Sequence, residues 1–229
     1  RHSGGFLLAV RDRTYSEAQG CYTGYERKRG AITQLIQAIH GEEIPQMHLY
    51  GCTGHLRDVK YLILLDSDTG LPFNAALEMV RTAIHPLNRP QIDPQTRRVT
   101  DGYGILVPEI APSIESARAT GFSRIMAGAG GASSYDAASA NFYQDCFGQT
   151  VFSGKGIVDV DAFYTVMRGR IEEGTVLSHD ILEGGFLRAG FLSGVTVTGG
   201  AIPQAAAPLG ARRLAEYRLF KKAPLWFGE

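Results

Sequence analysis

Residues 61–65, Tyr-Leu-Ile-Leu-Leu, make a five-residue apolar run that ends abruptly on Asp66-Ser67-Asp68. A run this short, bounded by polar turn residues, reads as a strand buried on both faces of a parallel sheet. Open α/β sheets bind ligands at the carboxyl ends of such strands. This one feature therefore points both to a fold class and to the place where chemistry belongs.

The flanking segments agree. Phe6–Val10 reads as another short buried strand. Ile32, Leu35, Ile36 and Ile39 fall at helical spacing and predict a helix over Ala31–His40, stopped by Gly41. After the turn Thr69-Gly70-Leu71-Pro72, Asn74 is placed to cap a helix carrying Leu77, Val80 and Ile84. Three prolines mark 86–98 as a surface excursion, and Gly102–Val107 reads as the next strand. Ala127–Ser134 is a small-residue loop. Asp159–Arg168 predicts a helix with Val160, Phe163, Tyr164 and Met167 on one face, and Ser178 is placed to cap a helix with Ile181, Leu182 and Phe186. Residues 201–208, apolar and proline-bearing, match no template. Strands alternating with helices specify an α/β fold with a mainly parallel sheet flanked by helices.

Composition narrows the function classes. Lysine plus arginine number 23 and aspartate plus glutamate 23, so no net positive field exists to hold nucleic acid. An anionic ligand must be gripped by a local cluster. Cys21, Cys52 and Cys146 are widely spaced, with no CxxC, and read as buried or free thiols of a reducing compartment. The longest apolar runs fall far short of the ~20 residues that cross a bilayer. The start, running straight into an apolar strand, has the look of a cut fragment.

Four motifs carry the chemistry. Asp66 and Asp68, one residue apart at a strand end, offer hard oxygens to a shared Mg2+ or Mn2+; an ordinary polar turn fits the same residues. A haloacid-dehalogenase-type phosphatase also uses two aspartates so spaced, but the position two beyond the second one is Gly70, with Thr69 one place early. Glu26-Arg27-Lys28-Arg29-Gly30 puts three cations at a loop-to-helix junction, which suits a phosphate and equally a solvated charge cluster. Ser178-His179-Asp180, followed by Glu183, places a carboxylate at a helix start, either as general base or as a partner of the helix dipole. Gly154-Lys155-Gly156, ahead of Asp159 and Asp161, combines close backbone approach with a cation for a phosphate or sugar hydroxyl; a flexible turn reads as well. It is not a phosphate-binding Walker loop, because Gly148 lies one residue too far back and Gly156 stands where serine or threonine is needed.

In chain order these motifs resemble those of the cyclic β-1,2-glucan synthases. Tyr25–Gly30 resembles their G-W-E-R-K-R-G stretch, and Leu65–Thr69 with Leu71-Pro72 resembles their D-x-D region. So do His85–Pro90, Gly102–Leu106, Tyr143-Gln144-Asp145, Gly154–Ile157 with Asp159–Phe163, and Leu177–Gly184. The resemblance spans roughly residues 6–194. It implies a partial GT-A-like glycosyltransferase region over 1–194 and a divergent tail over 195–229. The implied reaction moves glucose from UDP-glucose to a growing β-glucan with inversion. Asp66 and Asp68 match the metal carboxylates, Lys28 and Arg29 lie near the nucleotide diphosphate, and Asp180 matches the base. The implied parent is a multidomain bacterial enzyme embedded in the inner membrane, with this region on the cytoplasmic side. Two departures stand out. Family strands that precede the region matched by Phe6 are missing, and the tail lacks the family's acidic-aromatic-proline stretch and its Q/H-R-W motif. They leave open an inactive fragment, or a non-catalytic glucan-binding scaffold of the same fold.

Overall fold

The computed structural model describes residues 5–17, 20–67, 69–112, 118, 141–172 and 179–199. Its strands are β1 (Leu7–Arg11), β2 (Arg13–Ser16), β3 (Cys21–Gly24), β4 (Met47–Gly51), β5 (Tyr61–Leu64), β6 (Gln91–Asp93), β7 (Arg98–Asp101), β8 (Ile105–Pro112), β9 (Gly156–Asp159) and β10 (Ala189–Gly199). Its helices are α1 (Arg27–Ile39), α2 (Ala75–Ala83), α3 (Phe142–Phe147), α4 (Val160–Met167) and α5 (Asp180–Leu187). The small-residue loop 127–134, Ser178, Asp68 and residues 201–208 lie outside the described residues.

The central sheet has four strands in the order β10-β8-β9-β5. Only β10 with β8 is parallel; β8 with β9 and β9 with β5 are antiparallel. The fold is α/β, but the sheet is mixed rather than mainly parallel. The physical reason is β9. Its apolar centre is only Ile157-Val158, too short to declare itself in the sequence, yet it inserts between β5 and β8 and reverses the direction. Gly156 makes that insertion possible: a β-carbon there would stand 2.5 Å from the Leu106 carbonyl oxygen.

Side chains alternate along these strands and separate two cores. Ile105, Val107 and Val158 face Ile32, Ile36 and Ile39 of α1, Val160, Phe163 and Val166 of α4, and Leu187 of α5. Leu106, Ile110, Ile157 and Val197 face Ala75, Met79 and Ala83 of α2. Helix α2 thus buries a narrow i, i+4, i+8 stripe of small residues around Met79. The expected core residues Leu77 and Ile84 point to solvent instead, 45% and 49% exposed. Helix α4 follows its expectation closely, with the Asp159 carboxylate accepting from the Ala162 amide at 2.8 Å as N-cap.

The remaining strands form three two-stranded pieces, β1-β4, β2-β3 and β6-β7. The first of them corrects the reading of Phe6–Val10: Leu8 and Val10 are exposed, so this strand is not buried. The excursion at 86–98 holds a short helical turn at Pro86–Asn88 and then enters the β6-β7 hairpin. β10 continues across residue 194, and its Val195 and Val197 are buried in the sheet's second core. Cys21, Cys52 and Cys146 are exposed free thiols. No helix among the described residues is long and apolar enough to cross a membrane.

Candidate functional site

The antiparallel pairing of β5 with β9 builds the site. Leu64 pairs with Gly156 at the last registered position. Both chains then leave the sheet at the same edge, so Asp66 emerges beside Gly154 and Lys155. Lys155 Nζ lies 3.1 Å from Asp66 Oδ2. Lys28, in the first turn of α1, reaches the same place from another layer. Its ammonium donates to Asp66 Oδ1 at 2.5 Å and to the Gly154 carbonyl oxygen at 2.8 Å.

Asp180 opens α5 close to Gly154. That glycine has φ +82, and a β-carbon on it would stand 3.2 Å from Asp180 Oδ2. Glycine is required there for both reasons: left-handed backbone and the closeness of the carboxylate. Asp66, Lys28, Lys155 and Asp180 therefore gather around Gly154. The structure brings together four of the residues singled out in the sequence, from segments as much as 152 positions apart (Asp180 less Lys28).

Arg29 does not join them. Successive helical residues point about 100° apart, so Arg29 turns away from Lys28. Its guanidinium is buried and pairs with Glu26 at 2.9 Å. Its Nε has no hydrogen-bond partner among the described residues. Asp68, the other expected metal carboxylate, lies outside the described residues.

Electrostatics divide the acids. Burial pushes the Asp66 carboxyl upward, but hydrogen bonds and charge from Lys28 and Lys155 outweigh it and hold Asp66 below the ordinary carboxylate range. Asp180 moves the other way: burial raises it, Asp66 adds to the rise, and Lys28 and Lys155 oppose it. Two neighbouring acids are thus shifted in opposite directions, Asp66 held ionised and Asp180 made more basic.

A third acid has no role in the sequence reading. Glu183 is 1% exposed, and neither carboxylate oxygen has a hydrogen-bond partner among the described residues. Burial, reinforced by the Asp180 charge, pushes it up to about 8. It sits one turn after His179, whose Nε2 lies 3.7 Å from Asp180 Oδ1 and 4.0 Å from Glu183 Oε1. The signal for it was spacing: Glu183 and Leu187 are i and i+4, and both face the core.

Fold and site define an α/β domain in which two lysines and two carboxylates from separate elements meet at the end of the β5-β9 pair. No protein-family model matches the chain. The chain is 40% identical over 180 residues to the cyclic beta-(1,2)-glucan synthase NdvB of Rhizobium meliloti (strain 1021). That alignment takes in 78% of this chain and 6% of the relative. The chain belongs to the cyclic β-1,2-glucan synthase family and matches a short segment of its much longer relative.

Proposed function

We propose that this chain is the donor-handling and catalytic part of an inverting glycosyltransferase that moves glucose from UDP-glucose to a growing β-1,2-glucan. One observation carries the reading: Lys28, Asp66, Lys155 and Asp180 converge around Gly154. Membership of a glucan synthase family supports it.

The residues divide the work of one in-line displacement. The acceptor hydroxyl attacks the anomeric carbon, Asp180 takes its proton, and the nucleotide diphosphate departs. An α-linked donor then gives a β-linked product. Burial makes Asp180 a stronger base, and the two lysines limit the rise. Lys28 and Lys155 grip the diphosphate. Asp66 is a suitable donor for a hard cation because its carboxylate is held ionised and is part-exposed at the sheet edge. Its oxygens now carry the two ammonium groups, and substrate phosphates would draw those lysines away. Asp66 and Asp68 would hold Mg2+ or Mn2+, which when bound offsets charge on the leaving diphosphate. On this reading the parent protein is embedded in the bacterial inner membrane, with this region on the cytoplasmic side.

Calorimetry with UDP and Mn2+ on the full chain tests the assignment. Metal-dependent UDP binding that Asp66→Asn and Asp68→Ala each abolish is the expected result. Glucan binding indifferent to metal, with no UDP binding, would overturn it in favour of a scaffold. Phosphate release from small phosphate esters, abolished in Asp66→Asn, would overturn it in favour of a phosphatase.

A further inference from the structure

We propose that His179, Asp180 and Glu183 form a second cation site, which takes a borderline divalent ion of the zinc class and thereby blocks Asp180. Binding stands on the geometry alone; the effect on turnover rests on Asp180 being the base.

One ligand atom from each residue lies within 4.8 Å of the others. The Nε2 of His179 stands 3.7 Å from Asp180 and 4.0 Å from Glu183. Around a tetrahedral zinc with bonds of about 2.0–2.2 Å, neighbouring ligand atoms sit roughly 3.3–3.5 Å apart. The three groups therefore need to close by only roughly half an ångström along each measured edge, within reach of side-chain rotation. Residues four apart share a helix face, which sets His179 against Glu183, and Asp180 Oδ1 reaches His179 Nε2 from beside them.

Glu183 is the second, independent sign. A carboxyl group 1% exposed and lacking any hydrogen-bond partner among the described residues is costly unless something compensates it. Neither nearby cation among the described residues bonds to it: Lys28 pairs with Asp66, and Arg29 with Glu26. The amino end of α5 also faces the acids with its positive pole. Against that field, a dication held by two carboxylates makes a cluster with no net charge. Imidazole in the ligand set selects zinc or cobalt over magnesium, whereas the carboxylate of Asp66 favours a hard ion.

The full chain, stripped with a chelator, is titrated with Co2+ and then with Zn2+. Visible Co2+ absorption bands of low coordination number, displaced by Zn2+, are expected. His179→Gln and Glu183→Gln should each weaken binding by at least about 100-fold, since even outer-shell changes cost 10–100-fold. Asp66→Asn should leave the bands unchanged. Unfolding midpoints establish that each variant is folded, and if His179→Gln is not, Glu183→Gln decides alone. Bands that never appear, survive both substitutions, or vanish in Asp66→Asn would overturn the site. Metal-dependent UDP binding reads the Asp66 centre separately, so the two assignments fail independently.

Discussion

Lys28 and Asp66 are 38 residues apart in the chain, yet the lysine ammonium lies 2.5 Å from the aspartate's Oδ1. Both side chains are 39% exposed. A pair so open to water adds little to stability, on the order of 1 kcal/mol at most. On the proposed function its value lies in holding a cation at the end of β5 for the donor's diphosphate.

Lys28→Ala should therefore separate binding from folding. UDP affinity in the presence of Mn2+ is expected to fall by about tenfold or more, the equivalent of one charge-assisted contact of roughly 1.5–3 kcal/mol. The urea midpoint should barely move. Calorimetry and chemical denaturation on the same preparation check both halves, and a large loss of stability with unchanged affinity would make Lys28 a structural residue.

Asp180→Asn removes the proton acceptor while keeping the shape of the side chain. In the protein that carries this segment, turnover should drop by about 10²–10⁴-fold, the usual contribution of a positioned base. Donor affinity should stay within a few-fold of wild type, because asparagine keeps the size of the side chain and leaves the Lys28 and Lys155 contacts with Asp66 in place. Near-normal turnover would remove Asp180 from its role.

How much of this was legible in the residues depends on which signal each element carries. Helices α1 and α4 declare themselves by apolar spacing; α4 lies within one residue of expectation at both ends, and α1 stops within one residue of it but starts four residues earlier. Strand direction has no such signal. Tyr61–Leu65 is apolar whether its neighbours run with it or against it, and β9 offers only two apolar residues between a glycine and an aspartate. The mixed sheet was hidden for that reason, and with it the register that sets Lys155 against Asp66. Arg29 follows Lys28 in sequence, but helical rotation sends it inward to Glu26. Glu183 was hidden by type: a glutamate near a helix start reads as a dipole partner, and only packing reveals that it faces the core.

Gly154→Ala tests the glycine that lies between Asp180 and the Lys28 ammonium. The backbone there has φ +82, which costs an L-residue on the order of 1–2 kcal/mol. The new methyl would also stand 3.2 Å from Asp180 Oδ2 and 3.4 Å from its carboxyl carbon. The variant should lose stability by about that amount, and turnover should fall further than UDP affinity as Asp180 is displaced. Equal losses in affinity and turnover would mean that Gly154 serves the lysine side alone.

The stability advantage of Glu183→Gln over the wild type should widen as the pH rises, and the sign follows from the two protonation equilibria. In the unfolded chain the carboxyl titrates at its ordinary 4.5, whereas burial in the native state pushes it up to about 8. Between those values the unfolded chain has released its proton and the folded one has not, so raising the pH favours unfolding. The native state has no such disadvantage below pH 4.5, accumulates it across the interval, and carries it undiminished above pH 8. Glutamine has no proton to lose. The stability difference between variant and wild type, measured by denaturant midpoints in chelator-treated buffer, should therefore grow from pH 5 to pH 8 by an amount on the order of a few kcal/mol. A difference that stays flat over that range would show that Glu183 titrates as an ordinary exposed carboxylate, and would remove the buried-charge argument for the cation site as well.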